Sequence, residues 1–280
     1  MTSRLDILRQ LADPLVPLYG AREAQSIALL VAAERSGLSE SDFRTDPDAA
    51  CTIEGLEPLI EQLTAGRPVQ YVLGRADFYG RHFAVREGVL IPRPETEELV
   101  AWVVRESAPT ARILDIGTGS GCIAATLAAE LPQAAVSALD ISDEALAVAA
   151  ENGRRLGVEV SWMQGDILQY ESLAGTGPLD AIVSNPPYVP KRDRAAMHPN
   201  VRDYEPAEAL FVPDDDPLCF YRAIARAGRQ WLRPGGKLYF EIYHEAGEAL
   251  GELLEAEGYV EIRLRQDLFG KDRMLCARMN

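Results

Sequence analysis

The sequence contains few of the residues that bind metals or form disulfides. Its 280 residues include four cysteines and three histidines, with no Cys-x-x-Cys pair and no other close cluster. The cysteines lie far apart in the chain, at Cys51, Cys122, Cys219 and Cys276. This spacing predicts neither a zinc site nor a redox pair, so we expect no metal centre and expect the cysteines to be buried.

Long hydrophobic runs are also missing. Hydrophobic residues make up 47% of the chain, yet no uninterrupted apolar run approaches the roughly 18 residues needed to cross a bilayer. Residues 1–10 contain no apolar core of the kind found in secretory signal peptides. We therefore expect a cytoplasmic protein without a membrane partner.

Basic residues are scarce relative to acidic ones. The chain has 28 Lys and Arg against 43 Asp and Glu, which gives a formal net charge of −15. It also has no basic patch interleaved with aromatic residues. The average field of such a protein repels the phosphate backbone of a duplex, so we expect no direct nucleic-acid partner.

The chain is long enough for two domains, and its pattern changes twice. Residues 1–75 show apolar positions three or four residues apart, as at Leu8 and Leu11, which predicts a small helical domain. Residues 76–91 combine aromatic residues, alternation and glycines, which predicts a linking β-hairpin. Residues 92–280 form the remaining, larger domain.

Short apolar runs alternate with helical patterns in this larger domain. Strands are predicted at 112–116, 135–139, 158–163, 180–183 and 237–242, and helices at 92–106, 121–130, 143–156, 218–231 and 245–257. Such alternation predicts an α/β fold with a doubly wound parallel sheet. Residues 260–266 and 273–278 follow as two strands joined only by a turn, so we expect the last strand to be antiparallel.

A glycine-rich loop connects the first of these strands to its helix. Gly117, Gly119 and Gly121 stand at alternate positions, where the backbone can turn tightly and approach a ligand closely. The dinucleotide fingerprint requires glycine at position 122, which is Cys122 here. The spacing therefore favours a ligand without a pyrophosphate, and a glycine-rich turn without a ligand is the alternative.

Two acidic residues follow the next two strands. Asp140 is placed to accept hydrogen bonds from both ribose hydroxyls of a nucleoside, and a helix cap is the alternative. Asp166 could lie near an adenine amine with Ile167 against the ring, or it could be a solvated turn residue. Because all three residues follow parallel strands, we expect them at the edge of the sheet where open α/β sheets bind ligands.

The motif Asn185-Pro-Pro-Tyr188 follows the predicted strand 180–183. Pro186 and Pro187 make a stiff exit from the strand, because proline fixes its own φ and disfavours helical backbone in the residue before it. The Asn185 side-chain oxygen and the Pro186 carbonyl can then present two acceptors in one direction, beside the Tyr188 ring. For so short a motif, a proline-stiffened turn is the alternative.

Together these motifs resemble the class I S-adenosylmethionine-dependent methyltransferases that methylate amide or amino nitrogens. Four further stretches make the chain similar to the HemK/PrmC family of peptide chain release factor glutamine N5-methyltransferases. They are Arg67-Pro-Val-Gln-Tyr-Val-Leu-Gly74, Phe78-Tyr-Gly80, Ile91-Pro-Arg-Pro-Glu-Thr-Glu97 and Val201-Arg-Asp-Tyr-Glu-Pro206. The resemblance covers nearly the whole chain. It implies a Rossmann-like sheet with an antiparallel last strand, preceded by a helical N-terminal domain and a hairpin.

The resemblance also implies an activity and a set of site residues. The cofactor is S-adenosylmethionine, and the substrate is the glutamine of the Gly-Gly-Gln motif in release factors, which are the implied protein partners. The implied cofactor-binding residues are Gly117, Thr118, Gly119, Ser120, Gly121, Asp140, Asp166, Ile167 and Asn185. Asn185, Pro186 and Tyr188 are implied as catalytic, and these three with Pro187 as substrate-binding. We expect a monomer in which residues 1–75 recognise the substrate protein.

Two parts of the chain depart from the family pattern. Tyr243 stands after Phe240-Glu-Ile242, where many members have glycine, and residues 1–75 match only as a helical pattern. The packing near Tyr243 and the docking contacts therefore stay unassigned.

Four alternative functions are weighed against this one. A ribosomal-protein glutamine methyltransferase shares the Asn-Pro-Pro-Tyr motif, and so does a DNA adenine N6-methyltransferase, which the net charge opposes. A nicotinamide dehydrogenase is disfavoured by the spacing of the glycines. A binding module without enzymatic activity is disfavoured because both motifs are intact.

Overall fold

A computed structural model of the chain describes residues 2–173 and 177–280. The chain divides into two compact units. One comprises the chain up to Arg75 together with His198–Tyr204, and the other comprises Ala76–Met197 together with Glu205–Asn280. The first unit thus includes a short segment that the sequence pattern did not associate with the N-terminal residues.

The first unit is mainly helical. Its elements before residue 75 are β1 (Thr2–Ser3), α1 (Arg4–Ala12), α2 (Val16–Ser36), α3 (Glu40–Thr45), β2 (Ala50–Cys51), α4 (Leu56–Thr64) and α5 (Val69–Leu73). Local sequence explains several ends, because Ser39 and Asp42 form a capping box at the start of α3 and Gly37 ends α2 in left-handed backbone. Apolar side chains such as Leu11 and Leu63 form the core of this unit.

The chain from residue 75 to residue 190 forms the hairpin and the first part of the main sheet. Its elements are β3 (Arg75–Phe78), β4 (Arg81–Ala84), α6 (Pro94–Glu106), β5 (Arg112–Ile116), α7 (Cys122–Glu130), β6 (Ala135–Asp140), α8 (Asp143–Leu156), β7 (Ser161–Gln164), β8 (Leu179–Ser184) and β9 (Val189–Pro190). The remainder forms α9 (Pro199–Tyr204), α10 (Ala207–Leu210), β10 (Phe211–Val212), α11 (Cys219–Trp231), β11 (Leu232–Glu241), α12 (Gly247–Ala256), β12 (Tyr259–Gln266) and β13 (Asp272–Met279).

The main sheet has seven strands in the order β12-β13-β11-β8-β5-β6-β7. Strand β13 pairs antiparallel with both β11 and β12, whereas the other neighbouring pairs are parallel. This topology confirms the predicted class I methyltransferase fold with its antiparallel last strand. The winding direction reverses between β5 and β8, and open α/β sheets bind ligands in the crevice that such a reversal creates.

The sheet is covered by apolar side chains on both faces. Along β8, Ala181 and Val183 belong to one core cluster and Ile182 belongs to the other. Ile113 and Leu114 divide in the same way along β5. Successive residues of a strand point to opposite faces, so a continuous apolar run is what a sheet buried on both sides requires.

Three predicted strand boundaries differ from the structure by more than one residue. Strand β11 begins at Leu232, not at 237, and its pairing with β8 shifts register between Leu232 and Lys237. The second hairpin strand ends at Ala84, not at residue 91. Tyr79 and Gly80 both have positive φ and form a two-residue turn, so β4 extends only as far as the four residues of β3 can pair with it. Strand β7 begins at Ser161, not at 158, because the Val158 N–H donates to the Gly153 carbonyl at the end of α8. Within residues 2–173 and 177–280, no helix is long and apolar enough to cross a membrane.

Candidate active site

A cavity of about 260 Å³ opens in the second unit at the C-terminal ends of four neighbouring parallel strands. Its walls include residues 117–120 after β5, 139–142 at the end of β6, 165–168 after β7 and 184–187 after β8. Every predicted site residue lines this cavity except Gly121 and Tyr188. The fold thus brings together, in one crevice, motifs that stand almost 70 residues apart in the sequence.

The glycine loop leaves open space beside the cavity. A Cβ atom added at Gly117 or Gly119 would meet no heavy atom within 4 Å. At Gly121 the same atom would lie 2.9 Å from the Ala149 Cβ, so the third glycine permits close packing of the loop against α8. The Gly117 N–H donates to the Leu139 carbonyl at 2.8 Å, which fixes the start of the loop beside β6.

Asp140 holds the glycine loop and the exit of β6 together. Its Oδ2 accepts a hydrogen bond from the Gly119 N–H at 2.8 Å, and its Oδ1 accepts one from the Ser142 N–H at 2.9 Å. Burial raises the pKa of this carboxyl above its ordinary value of 3.8. A carboxylate has about four lone-pair positions, so each oxygen can accept a further hydrogen bond from a ligand in the cavity.

Asp166 acts as a cap and also lines the cavity. Its Oδ1 accepts from the Leu168 N–H and its Oδ2 from the Gln169 Nε2, both at 2.9 Å. The neighbouring Ile167 is buried, while Ile141 is 61% exposed across the same opening. This part of the cavity wall therefore offers apolar surface suited to a planar ring, together with the Asp166 carboxylate.

Asp115 lies beneath the glycine loop and was not singled out from the sequence. The carboxyl is fully buried, and its Oδ2 accepts from the Thr118 hydroxyl at 2.6 Å and from the Ala124 N–H at 3.2 Å. Burial raises the pKa of Asp115 to about 7. Asp115 thereby joins the loop to the first turn of α7 from below.

Asn185 is held beside the glycine loop by the pairing of β5 with β8. Ile116 and Ser184 are register partners, and the Ser184 hydroxyl donates to the Ile116 carbonyl at 2.6 Å. The Asn185 Nδ2 donates to the Thr96 hydroxyl oxygen at 3.2 Å. Among the described residues, no donor is hydrogen-bonded to the Asn185 Oδ1, which leaves this acceptor available to a ligand.

Tyr188 is anchored on a buried carboxylate. Its hydroxyl donates to Glu241 Oε1 at 3.1 Å, and the Thr96 hydroxyl donates to Glu241 Oε2 at 2.5 Å. Glu241 is 1% exposed, and burial raises its pKa above the ordinary value. Burial, reinforced by Glu241, also raises the pKa of Tyr188. Tyr188 therefore stays a neutral phenol.

The unusual Tyr243 packs near this group. Its ring lies 6.3 Å from the Tyr188 ring, measured between centroids, and its hydroxyl donates to the Asp193 Oδ2 at 3.1 Å. The bulkier residue is thus accommodated beside the motif and ties it to the segment Lys191–Ala196.

The segment 88–93, which also lines the cavity, is fastened by Glu205. The Ile91 N–H donates to Glu205 Oε2 at 3.1 Å, and the Arg93 Nη2 lies 2.6 Å from Glu205 Oε1. Glu205 is 5% exposed, so this ion pair is largely shielded from solvent.

The sequence analysis included Thr96, Asp115, Glu205 and Glu241 in predicted elements or quoted motifs but gave these residues no role. For Asp115 and Glu241, the sequence itself indicated a buried polar side chain. Asp115 stands in Ile-Leu-Asp-Ile and Glu241 in Phe-Glu-Ile, each inside an apolar run. A carboxylate in a buried strand needs hydrogen-bond partners, so these positions could have been marked as parts of a polar network.

Comparison with known proteins agrees with this architecture. Residues 96–201 match the family model of the methyltransferase small domain. A release factor glutamine methyltransferase from Bacteroides thetaiotaomicron is 45% identical over 274 residues, covering 97% of this chain and 98% of that protein. A protein of the same name from Flavobacterium psychrophilum is 42% identical over 274 residues, covering 95% of each chain.

Two solved structures share the fold at low identity. A methyltransferase from Pyrococcus furiosus has a TM-score of 0.54 at 17% identity, covering 72% of this chain and 90% of that chain. A 16S rRNA N2 G1207 methyltransferase from Thermus thermophilus, solved in complex with AdoMet and guanosine, has a TM-score of 0.52 at 17% identity. It covers 74% of this chain and 50% of that chain.

Proposed function

This chain belongs to the family of release factor glutamine methyltransferases, and on that premise we propose its reaction. It transfers a methyl group from S-adenosylmethionine to the side-chain amide nitrogen of the glutamine in the Gly-Gly-Gln motif of peptide chain release factors. The observation that carries the proposal is the position of Asn185, which lines the same cavity as the glycine loop and whose side-chain oxygen accepts no hydrogen bond from any described residue.

The residues around the cavity fit S-adenosylmethionine. The open space beside Gly117 and Gly119 admits a ligand close to the backbone, and Asp140 offers acceptors for ribose hydroxyls. Ile141 and Ile167 line the cavity and would provide apolar surface for an adenine ring, and the Asp166 carboxylate would accept a hydrogen bond from its amine. When bound, this cofactor supplies a methyl group made electrophilic by a positively charged sulfur.

The substrate amide needs positioning because its nitrogen is a poor nucleophile. The lone pair is delocalised into the carbonyl group. We assign Asn185 Oδ1 and the Pro186 carbonyl as acceptors for the two amide N–H groups, which turns the nitrogen lone pair toward the methyl group. Positioning of this kind contributes up to about 7–11 kcal/mol in ideal intramolecular cases. Pro187 lines the same cavity.

A strong general base is not needed at the start of this reaction. The amide nitrogen becomes acidic only as the N–C bond forms, and its proton then leaves to solvent. Tyr188, a neutral phenol whose hydroxyl is committed to Glu241, supports the motif instead of removing that proton. Its ring packs against the apolar cluster that contains Ile182 and Phe240.

The finer expectations about partners rest on the family. We assign recognition of the release factor to the helical N-terminal residues 1–75, since the glycine loop, Asp140 and Asn185 all lie in the other unit. Because release factors act in translation, we infer that the enzyme works in the cytoplasm. The expectation of a monomer stays a prediction.

Purified enzyme, release factor and S-adenosylmethionine test the proposal directly. Asn185→Ala should reduce kcat strongly and leave the cofactor Kd nearly unchanged, because the lost interaction matters mainly in the transition state. A release factor whose Gly-Gly-Gln glutamine is replaced by alanine serves as the substrate control and should accept no methyl group. Near-normal kcat in the Asn185 variant would rule out the assigned role.

A further inference from the structure

Three elements of the second unit meet in a hydrogen-bonded chain of side chains behind Asn185. Thr96 stands in the first turn of α6, Glu241 ends β11, and Asn185 follows β8. The chain runs from the Asn185 Nδ2 to the Thr96 hydroxyl oxygen at 3.2 Å and from the Thr96 hydroxyl to Glu241 Oε2 at 2.5 Å. We propose that Thr96 and Glu241 are positioning residues, which orient the Asn185 amide so that its oxygen faces the substrate. The inference rests on the proposed role of Asn185.

The direction of each hydrogen bond follows from the chemistry of the groups. Each oxygen of Glu241 accepts one hydroxyl, Oε2 from Thr96 and Oε1 from Tyr188, so the single hydroxyl hydrogen of Thr96 is directed to Glu241. The lone pairs of the Thr96 oxygen then face Asn185 and can be satisfied only by a donor. The amide therefore presents its Nδ2 to Thr96, and its Oδ1 is left for the cavity. The buried carboxylate of Glu241 therefore determines, through Thr96, that the side-chain oxygen of Asn185 is the atom that faces the substrate.

Without this chain, the Asn185 amide would have no fixed direction. The two ends of an amide are similar in size, so rotation by half a turn exchanges the acceptor and the donor at little steric cost. A donor facing the cavity would oppose the N–H groups of a substrate amide. The Thr96 hydroxyl therefore determines whether Asn185 presents a hydrogen-bond acceptor or a donor to the substrate amide.

Glu241 anchors the other end of the motif as well. Its second oxygen, Oε1, accepts from the Tyr188 hydroxyl at 3.1 Å, so one carboxylate holds the residues that flank the two prolines. Burying a carboxylate is costly unless it is hydrogen-bonded, and Glu241 is 1% exposed. Its neighbours in β11, Phe240 and Tyr239, are apolar or aromatic core residues. A carboxylate at this position is therefore explained by the motif it holds, not by the packing of the strand.

Two substitutions at Thr96 separate positioning from packing. Thr96→Val keeps the shape and removes the hydroxyl, whereas Thr96→Ser keeps the hydroxyl and removes a methyl group. We expect Thr96→Val to lower kcat for release factor methylation by about 10-fold or more, the cost of an unsatisfied or reversed polar group. The cofactor Kd of the Thr96→Val variant should stay unchanged. The Thr96→Ser variant, which keeps the hydroxyl, should retain most of the wild-type kcat.

A double-mutant cycle makes the test specific. If Thr96 acts through Asn185, adding Thr96→Val to Asn185→Ala should lower kcat no further. Glu241→Gln provides a second variant, because its amide must present a donor to either Thr96 or Tyr188, and it should also lower kcat without changing the cofactor Kd. Additive losses in the cycle, equal losses in the valine and serine variants, or an unchanged kcat in Thr96→Val would each overturn the inference. The wild-type enzyme assayed beside them shows whether release factor is methylated at all, so failure of the proposed function is seen there and not in the variants.

Discussion

Replacing Asp140 by alanine should weaken cofactor binding. The carboxylate fastens the Gly119 N–H at 2.8 Å and the Ser142 N–H at 2.9 Å, and it is assigned to the ribose hydroxyls. A hydrogen bond to a charged group contributes about 1.5–3 kcal/mol. Loss of one such bond to the cofactor corresponds to an increase in Kd of about 10- to 150-fold.

Isothermal titration of S-adenosylmethionine into the purified variant measures this change. Asp143→Ala is a matched control, because Asp143 is exposed at the start of α8 and does not line the cavity. The control should bind the cofactor as the wild type does. An unchanged Kd in Asp140→Ala, with an intact fold by circular dichroism, would refute the assignment of Asp140 to the ribose.

Three further predictions concern stability and substrate recognition. Gly121→Ala should lose about 1–3 kcal/mol in urea denaturation, because the added Cβ would lie 2.9 Å from the Ala149 Cβ. Gly235→Ala, also at positive φ but with nothing within 4 Å, should lose less. Asp115 binds its proton more tightly when folded, with a pKa of about 7 against 3.8, so unfolding free energy should fall as pH rises through that window. The fall amounts to at most about 4 kcal/mol; if Asp115→Asn shows the same pH slope as the wild type, the assignment is wrong. A chain lacking residues 1–73 should keep cofactor binding but lose most activity on intact release factor, while a short Gly-Gly-Gln peptide should be an equally poor substrate for both. Full activity of the shortened chain on intact release factor would contradict the recognition role.

The sheet could be predicted from sequence because local pattern and fold agree there. Residues 113–114 and 181–183 are apolar in succession, as strands covered on both faces require, and helical patterns lie between these two strands. The absence of a helix between 260–266 and 273–278 was enough to predict the antiparallel strand. The predicted hairpin was too long because apolar residues continue past Ala84, at Val85 and at 89–91, although the strands have ended.

The polar network behind the motif could not be predicted in the same way. Thr96 and Glu241 are 145 residues apart in the chain and meet only because α6 packs beside the end of β11. The sequence shows which residues are polar but not which of them share a hydrogen bond. Tyr188 illustrates the same limit, since the sequence shows its place in the motif while the buried partner of its hydroxyl depends on the fold.

Mass spectrometry of a release factor after incubation with this enzyme and S-adenosylmethionine tests the central claim most directly. The account predicts that the peptide containing Gly-Gly-Gln gains one methyl group, located by fragmentation on the glutamine side-chain nitrogen. It also predicts that Asn185→Ala abolishes most of this gain under the same conditions. An unmodified glutamine in the presence of enzyme that binds the cofactor, or methylation of adenine in DNA instead, would contradict the account.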